Sequence, residues 1–271
     1  MSPEDLAHSL STLGIAHEVR PSGADGAVLV LPEYGRVAGL WPHLRAENAL
    51  WVNDAFLQSL RIGVKDDGWS NPGGDRVWLA PAEEFLDEGR VSPAIDPGRF
   101  SLSSDRTTVS LTNRGEAFAR RAGAGVKFRL TRRVRPLFEP EIDAACGPTW
   151  LRRAGWDEEL ELEIDGRCSL SVQLWSLTQA PPGSRTLAGR GRLLCIEDAD
   201  SDRARLLVKA AEGSESARES PASPIELSIV SPALLPGGRR RLRWKTSTWS
   251  FCGRSAEIRQ FASRMLYSVH Q

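Results

Sequence analysis

Hydrophobic residues along this chain recur mostly at a spacing of two, in short runs separated by Gly, Pro, Asp and Ser. That rhythm predicts β-strands joined by turns, and not the alternation of strands with long helices seen in βαβ proteins. The runs fall at Ala27–Leu31, Val37–Trp41, Ala49–Val52, Val77–Ala80 and Thr107–Leu111. The clearest strand is Val126–Val134: Val126, Phe128, Leu130 and Val134 share one face, and Lys127, Arg129, Thr131 and Arg133 the other. Leu160, Leu162 and Ile164 alternate in the same manner with Glu159, Glu161, Glu163 and Asp165. A period of two with a charged outer face predicts antiparallel strands wet on one side, and cross-strand pairing favours the basic face beside the acidic one. These faces read as solvated surface. More strands are expected at Leu170–Leu177, Arg192–Ile196, Arg205–Val208 and Ile225–Val230, with a polar loop over Ala211–Ser223.

Helical spacing is confined to the ends. Residues 3–14 read as a short amphipathic helix with Ser2 as cap, Pro3 at the first helical position and Gly14 as the stop. Ile258, Phe261, Ala262, Met265, Leu266 and Val269 predict a second helix over Ala256–Val269. Before it, Arg239–Arg243 offers two readings, a polyanion patch or a solvated turn and strand edge; the second is favoured. No repeat and no long linker divides the chain. The expectation is one all-β domain over residues 1–271, with an N-terminal helical segment at 1–18 and a divergent C-terminal segment at 239–271.

A chain of 271 residues with 41% hydrophobic content can bury a full core. Lys and Arg total 35, as do Asp and Glu, so net charge points neither to nucleic acid nor to a membrane surface. No apolar stretch approaches the roughly 18 residues of a membrane helix, and no signal-peptide pattern opens the chain, so a cytoplasmic location is expected. Cys146, Cys168, Cys195 and Cys252 are far apart and lack metal-ligand spacing. They read as buried free thiols, with two disulfides the alternative for an exported chain. No metal and no cofactor is expected. Tryptophan is abundant, 9 residues against 2 tyrosines; the indole is both a core filler and a platform for a sugar ring.

Candidate chemistry concentrates in two segments. Gly73-Gly74-Asp75-Arg76-Val77-Trp78-Leu79-Ala80-Pro81 and Leu174-Trp175-Ser176-Leu177-Thr178-Gln179 each place a Trp and polar groups on a strand halted by proline. The chain has no nucleophile elbow, zinc helix motif, phosphate loop or dinucleotide fingerprint. Among the histidines, His43 follows a strand and could reach a pocket. Glu83 and Glu84 follow Pro81 and are candidates for acid/base work, which needs a set separation between carboxylates. Asp75 beside Arg76 could hold sugar hydroxyls by charge-assisted hydrogen bonds, or be a turn ion pair.

The first of these segments resembles the Gly-Gly-x-Arg/Pro-x-x-x-x-Pro signature of galactose mutarotase-like proteins. Trp175–Gln179 with Pro181-Pro182-Gly183 is similar to the matching segment in uncharacterised branches of that superfamily, and Thr107–Asn113 followed by Val126–Leu137 to their central hairpin. The resemblance covers about residues 20–185. It implies an antiparallel super-β-sandwich, aldose epimerase-like, with short terminal helices and a sugar-binding cleft. The family's epimerases use a histidine acid and a glutamate base. Here the motif Leu-Thr-Asn-His reads Leu111-Thr112-Asn113-Arg114, and arginine does not release a proton near neutral pH. The expected function is therefore carbohydrate binding without the usual epimerase set. Arg76 would grip the ligand, Asp75 would orient Arg76 or accept from the ligand, Trp78, Trp175 or Trp69 would stack on it, and Gln179 and Asn53 would add polar contacts. Strand alternation allows only one of Trp175 and Ser176 to line the cleft. A sugar-active enzyme drawing on Glu83, Glu84, Asp75 or His43 is the alternative, and an interaction protein using a charged strand face is a third reading.

Overall fold

A computed structural model describes residues 1–62, 71–87, 90–166, 169–189, 192–199, 202–212, 216–220, 224–237 and 240–267. Helix α1 (Pro3–Thr12) leads into β1 (Glu18–Ser22), β2 (Gly26–Leu31) and β3 (Arg36–Trp41), followed by α2 (Asp54–Arg61) and β4 (Asp75–Ala80). After the short pair β5 (Leu86–Asp87) and β6 (Arg90–Val91) come β7 (Phe100–Ser104), β8 (Val109–Ala119), β9 (Ala124–Pro136), α3 (Glu139–Cys146) and β10 (Arg152–Asp165). The remainder is β11 (Gln173–Ala180), β12 (Arg185–Gly189), β13 (Arg192–Asp198), β14 (Arg203–Ala211), β15 (Ser216–Ser220), β16 (Ile225–Val230), β17 (Arg241–Arg254) and α4 (Ser255–Tyr267).

Two antiparallel sheets face each other. One has seven strands in the order β1-β2-β3-β4-β11-β16-β15, the other eight in the order β12-β13-β14-β17-β10-β9-β8-β7. Strand alternation turns Val28, Val37, Val77, Leu79, Leu174 and Leu227 of the first sheet toward Leu111, Phe128, Leu130, Leu160, Leu162 and Trp244 of the second, forming the main core. The outer faces are covered in part by helices. Leu6 and Leu10 of α1 and Phe56 and Leu57 of α2 pack on Leu29, Ala38 and Trp41. Helices α3 and α4 cover Leu194, Leu206, Val208 and Phe251 on the other side. At the start of α1, Ser2 and Asp5 form a reciprocal capping box, as the Ser2-Pro3 pattern predicts. The all-β antiparallel sandwich with short terminal helices is thus the observed architecture.

The basic and acidic strand faces do lie side by side. In register, Arg129, Arg133 and Arg135 of β9 oppose Glu163, Glu159 and Asp157 of β10, and each pair closes at 2.8–3.1 Å. Several expectations are corrected. Ala49–Val52 is no strand beyond a single bridge from Val52 to Gly73. The Asn48 amide, bonded to Leu40 N, Leu50 N and Ala38 O, substitutes there for a ladder. The loop expected at Ala211–Ser223 contains β15, which pairs with β16. The reading of Arg239–Arg243 as a solvated turn and strand edge is corrected: Arg239 lies outside the described residues, and from Arg241 β17 is a 14-residue strand between β14 and β10 in mid-sheet. Its inward positions include Thr246, Thr248 and Ser250, so its buried phase is polar and the alternation is masked. Helices α2 and α3 were not anticipated from the apolar spacing; both are only eight residues long. Val269 lies outside the described residues. Cys146 and Cys252 are buried free thiols, Cys195 is buried, and Cys168 is outside the described residues.

Candidate functional site

The glycine pair before β4 has a geometric cause. Gly73 and Gly74 hold φ of +94° and +79°, in the region other residues avoid. A Cβ would sit 2.3 Å from the Trp51 carbonyl at Gly73 and 2.3 Å from the Val37 carbonyl at Gly74. The chain is thereby threaded closely past Trp51, and β4 enters the sheet with a fixed phase. That phase puts Asp75 inward and Arg76 outward.

On the outward side a polar network spans β3, β4, β11 and β16. The Asn71 amide oxygen accepts from Arg36 Nη1 at 2.9 Å, from Arg76 Nη1 at 3.1 Å and from the Gly73 amide at 3.1 Å. Asn71 Nδ2 donates to Gln179 Oε1 at 3.1 Å, Gln179 Nε2 to Glu226 Oε1 at 3.0 Å, and Arg76 Nη2 to the same oxygen at 3.3 Å. Arg36 also holds Asp96 at 2.7 Å, and the Trp78 indole donates to that carboxylate at 2.9 Å. The Arg76 guanidinium lies over the Trp78 ring, 4.5 Å from its centroid, and Trp78 meets Trp175 edge to face at 5.5 Å. Arg36, Arg76 and Gln179 are buried, while Trp78 and Trp175 are half-buried at the rim. Burial, then the neighbouring Arg36 cation, lower the Arg76 pKa to about 10, which leaves it protonated at neutral pH. The arrangement offers fixed donors, two carboxylate acceptors (Asp96 and Glu226) and two indoles on a single outer face, beside the area that α1 and α2 cover.

Asp75 is not part of that face, which corrects the expectation that it orients Arg76 or meets a ligand. Its side chain has no solvent exposure and bonds Lys209 Nζ at 2.5 Å, Thr178 Oγ1 at 2.5 Å and Arg132 Nη2 at 2.7 Å. Arg132 Nε in turn holds Glu158 at 2.6 Å, and Thr246 Oγ1 donates to Glu158 at 3.2 Å. Two carboxylates and two cations thus neutralise one another between the sheets. Burial raises the Asp75 pKa, but the charges of Lys209 and Arg132 and the hydrogen bonds outweigh it and leave the carboxyl below its ordinary value. Glu158 is shifted upward, first by burial.

The other expected residues are dispersed. Trp175 faces outward and Ser176 inward with no exposure, as alternation requires. Asn53 caps α2 by accepting from Ala55 N and Phe56 N, and ties Asn71 O through Nδ2 at 2.8 Å, so it supports the site from behind. Trp69 lies outside the described residues. Glu84 is buried and fastened to the β8–β9 turn through Arg121 Nε at 2.7 Å and Arg121 N at 2.9 Å; Glu83 is exposed beside it. His43 accepts from Arg45 N at 3.2 Å, and burial lowers its pKa. No hydrogen bond joins any two of Asp75, Glu83, Glu84 and His43 among the described residues. Arg114 is an exposed residue of β8, on the sheet opposite Arg76. No group of three or more metal-ligating side chains occurs among the described residues. Sequence reasoning missed Arg36, Asn71, Asp96 and Glu226. The available signal was Arg36 itself, a charge at the head of the wholly apolar run Val37–Trp41.

No protein-family model matches the chain, and no curated protein does so either. Solved structures resemble it in fold. A protein from Synechocystis sp. PCC 6803 is 12% identical over 90% of this chain and 96% of that one, with a TM-score of 0.48. A galactose mutarotase-like protein from Lactobacillus casei ATCC 334 is 8% identical over 88% and 100%, with a TM-score of 0.45. An aldose epimerase homologue from C. elegans is 6% identical over 89% and 99%, with a TM-score of 0.42. The likeness is one of fold and does not say what this chain binds.

Proposed function

We propose that the chain binds a carbohydrate or sugar-derived small molecule on the outer face of the seven-stranded sheet and carries no epimerase acid/base set of the usual kind. The observation that carries this reading is the convergence of Arg76, Asn71, Gln179 and Glu226 on one oxygen-rich cluster beside the half-exposed indoles of Trp78 and Trp175. Arg76 and Gln179 would donate to hydroxyls, Glu226 would accept from them, and the Trp175 ring would cover the apolar face of a sugar. Groups held by neighbours need little reordering when a ligand arrives, which favours binding. Arg76 stays protonated and serves as a fixed donor, not as an acid. Dispersal of Glu83, Glu84 and His43 weighs against a relocated acid/base pair.

Calorimetric titration against a panel of neutral and acidic sugars tests the reading. At least one sugar is expected to bind, and Arg76→Ala to weaken it about tenfold or more, the cost of losing a charge-assisted contact. Absence of binding across the panel, or equal affinity in Arg76→Ala, would refute it.

A further inference from the structure

Far from Arg76 in the chain, Trp150 is 84% exposed, the most exposed of the large hydrophobic side chains among the described residues. An indole so exposed adds little to the core, and here it borders a pocket of about 320 Å³ lined also by Arg152, Arg203 and Arg254. Arg254 is exposed and in no ion pair among the described residues, whereas Arg152 is paired with Asp25 at 2.7 Å. Asp202 and Glu257 supply the carboxylates of the lining. Three guanidiniums, Arg152, Arg203 and Arg254, thus line one small pocket beside an exposed indole.

We infer that this pocket is a second ligand site, for a sugar ring that carries a negative charge as a carboxylate or a phosphate. Trp150 supplies a flat face for the ring, Arg254 and its neighbouring guanidiniums take the anionic group, and Glu257 and Asp202 accept from hydroxyls. Guanidinium is suited to both acid groups because its planar fork donates two parallel hydrogen bonds to either. The pocket volume admits a single ring. The site belongs to different strands from Arg76 and stands or falls apart from it: Arg152 opens β10, and Arg203 and Arg254 lie on β14 and β17.

The test is calorimetric titration of the full chain with glucuronate, glucose 6-phosphate, neutral glucose and inorganic phosphate, in wild type, Trp150→Ala, Arg254→Ala and Arg76→Ala, and in Arg76→Ala combined with each of the other two. The expected result is binding of at least one charged sugar that persists in Arg76→Ala, where the other site is disabled, and that is weakened about tenfold when Trp150→Ala or Arg254→Ala is added to that variant. Glucuronate alone or glucose 6-phosphate alone would identify the acid group. Trp150→Ala removes a side chain in water, so an unaltered melting temperature certifies the fold. The inference is overturned if, in the Arg76→Ala background, neither charged sugar binds, glucose binds as tightly as both, inorganic phosphate accounts for the signal alone, or adding Trp150→Ala changes nothing.

Discussion

Asp75 and Arg76 are consecutive residues of β4 that serve two different regions. Asp75 belongs to an interior network with Arg132, Glu158, Lys209 and Thr178 in which every charge is matched and the side chains of Asp75, Arg132, Glu158 and Lys209 have no exposure. Arg76 belongs to an outer network that ends on half-exposed indoles. Both regions combine guanidinium, carboxylate and hydroxyl or amide groups. What separates them is strand phase, which turns one set toward the core between the sheets and the other toward the outer face of the seven-stranded sheet. Parity of position therefore decides whether a polar residue in a strand is matched inside the core or placed on the outer face.

The contrast predicts its largest effect in the interior. Asp75→Ala leaves Lys209 and Arg132 short of a counter-charge in the core and should cost about 3–5 kcal/mol in urea unfolding. Replacing Asp75 by Val and Lys209 by Met together should recover more than half of that loss. A cost below about 1 kcal/mol for Asp75→Ala would mean that water reaches the network and that the two regions are alike.

Acid should expose the same difference. The folded chain keeps Asp75 ionised below its ordinary value of 3.8, where the unfolded chain takes up a proton. Its contribution is therefore present above that value and lost as pH falls toward the folded pKa. Glu158 works in the opposite sense and in another window: with its pKa raised above 4.5, its contribution is lost as pH rises. Urea midpoints should fall below about pH 4 in wild type and fall less steeply in Asp75→Asn; parallel limbs would assign the acid loss to other carboxylates.

Smaller effects are expected outward. Arg76→Ala should lower stability less than Asp75→Ala while abolishing most of the sugar affinity, a split that calorimetry and melting curves together resolve. Trp175→Ala should weaken binding several-fold, in keeping with about 0.5–1.5 kcal/mol for an aromatic contact, and an unchanged affinity would remove Trp175 from the site. Least of all, Arg133→Gln on the outer ion-pair ladder should shift unfolding by less than about 1 kcal/mol, because Arg133 and Glu159 are each more than a third exposed and the buried second partner, Glu161, keeps Arg241 and Arg243.

Legibility in the sequence followed the same parity. Val126–Val134 and Leu160–Ile164 declared their strands because apolar and charged residues alternate, and their charged faces paired as opposite charges in register must. Sequence reasoning passed over Arg132, in phase with Leu130 and Val134, and Glu158, in phase with Leu160, although a charge on the apolar phase is the mark of a buried partner elsewhere. Strand β17 hid because hydroxyls fill its inner phase, and α2 and α3 because two turns of helix give too little periodicity. Arg36, Asn71, Asp96 and Glu226 come from four separate segments, and no local pattern connects them.

By itself, then, the sequence determined the strands whose apolar and charged residues alternate, such as β9 and β10, together with their inner and outer faces and the terminal helices, since these depend on local sterics and on periodicity. The tertiary structure alone decided that β17 runs through the middle of its sheet, that Asp75 meets Lys209 across the sandwich, and that Arg36, Arg76, Gln179 and Glu226 share one face. Those are contacts between distant segments, set by which strands pair and how two sheets pack, and no short stretch of chain encodes them.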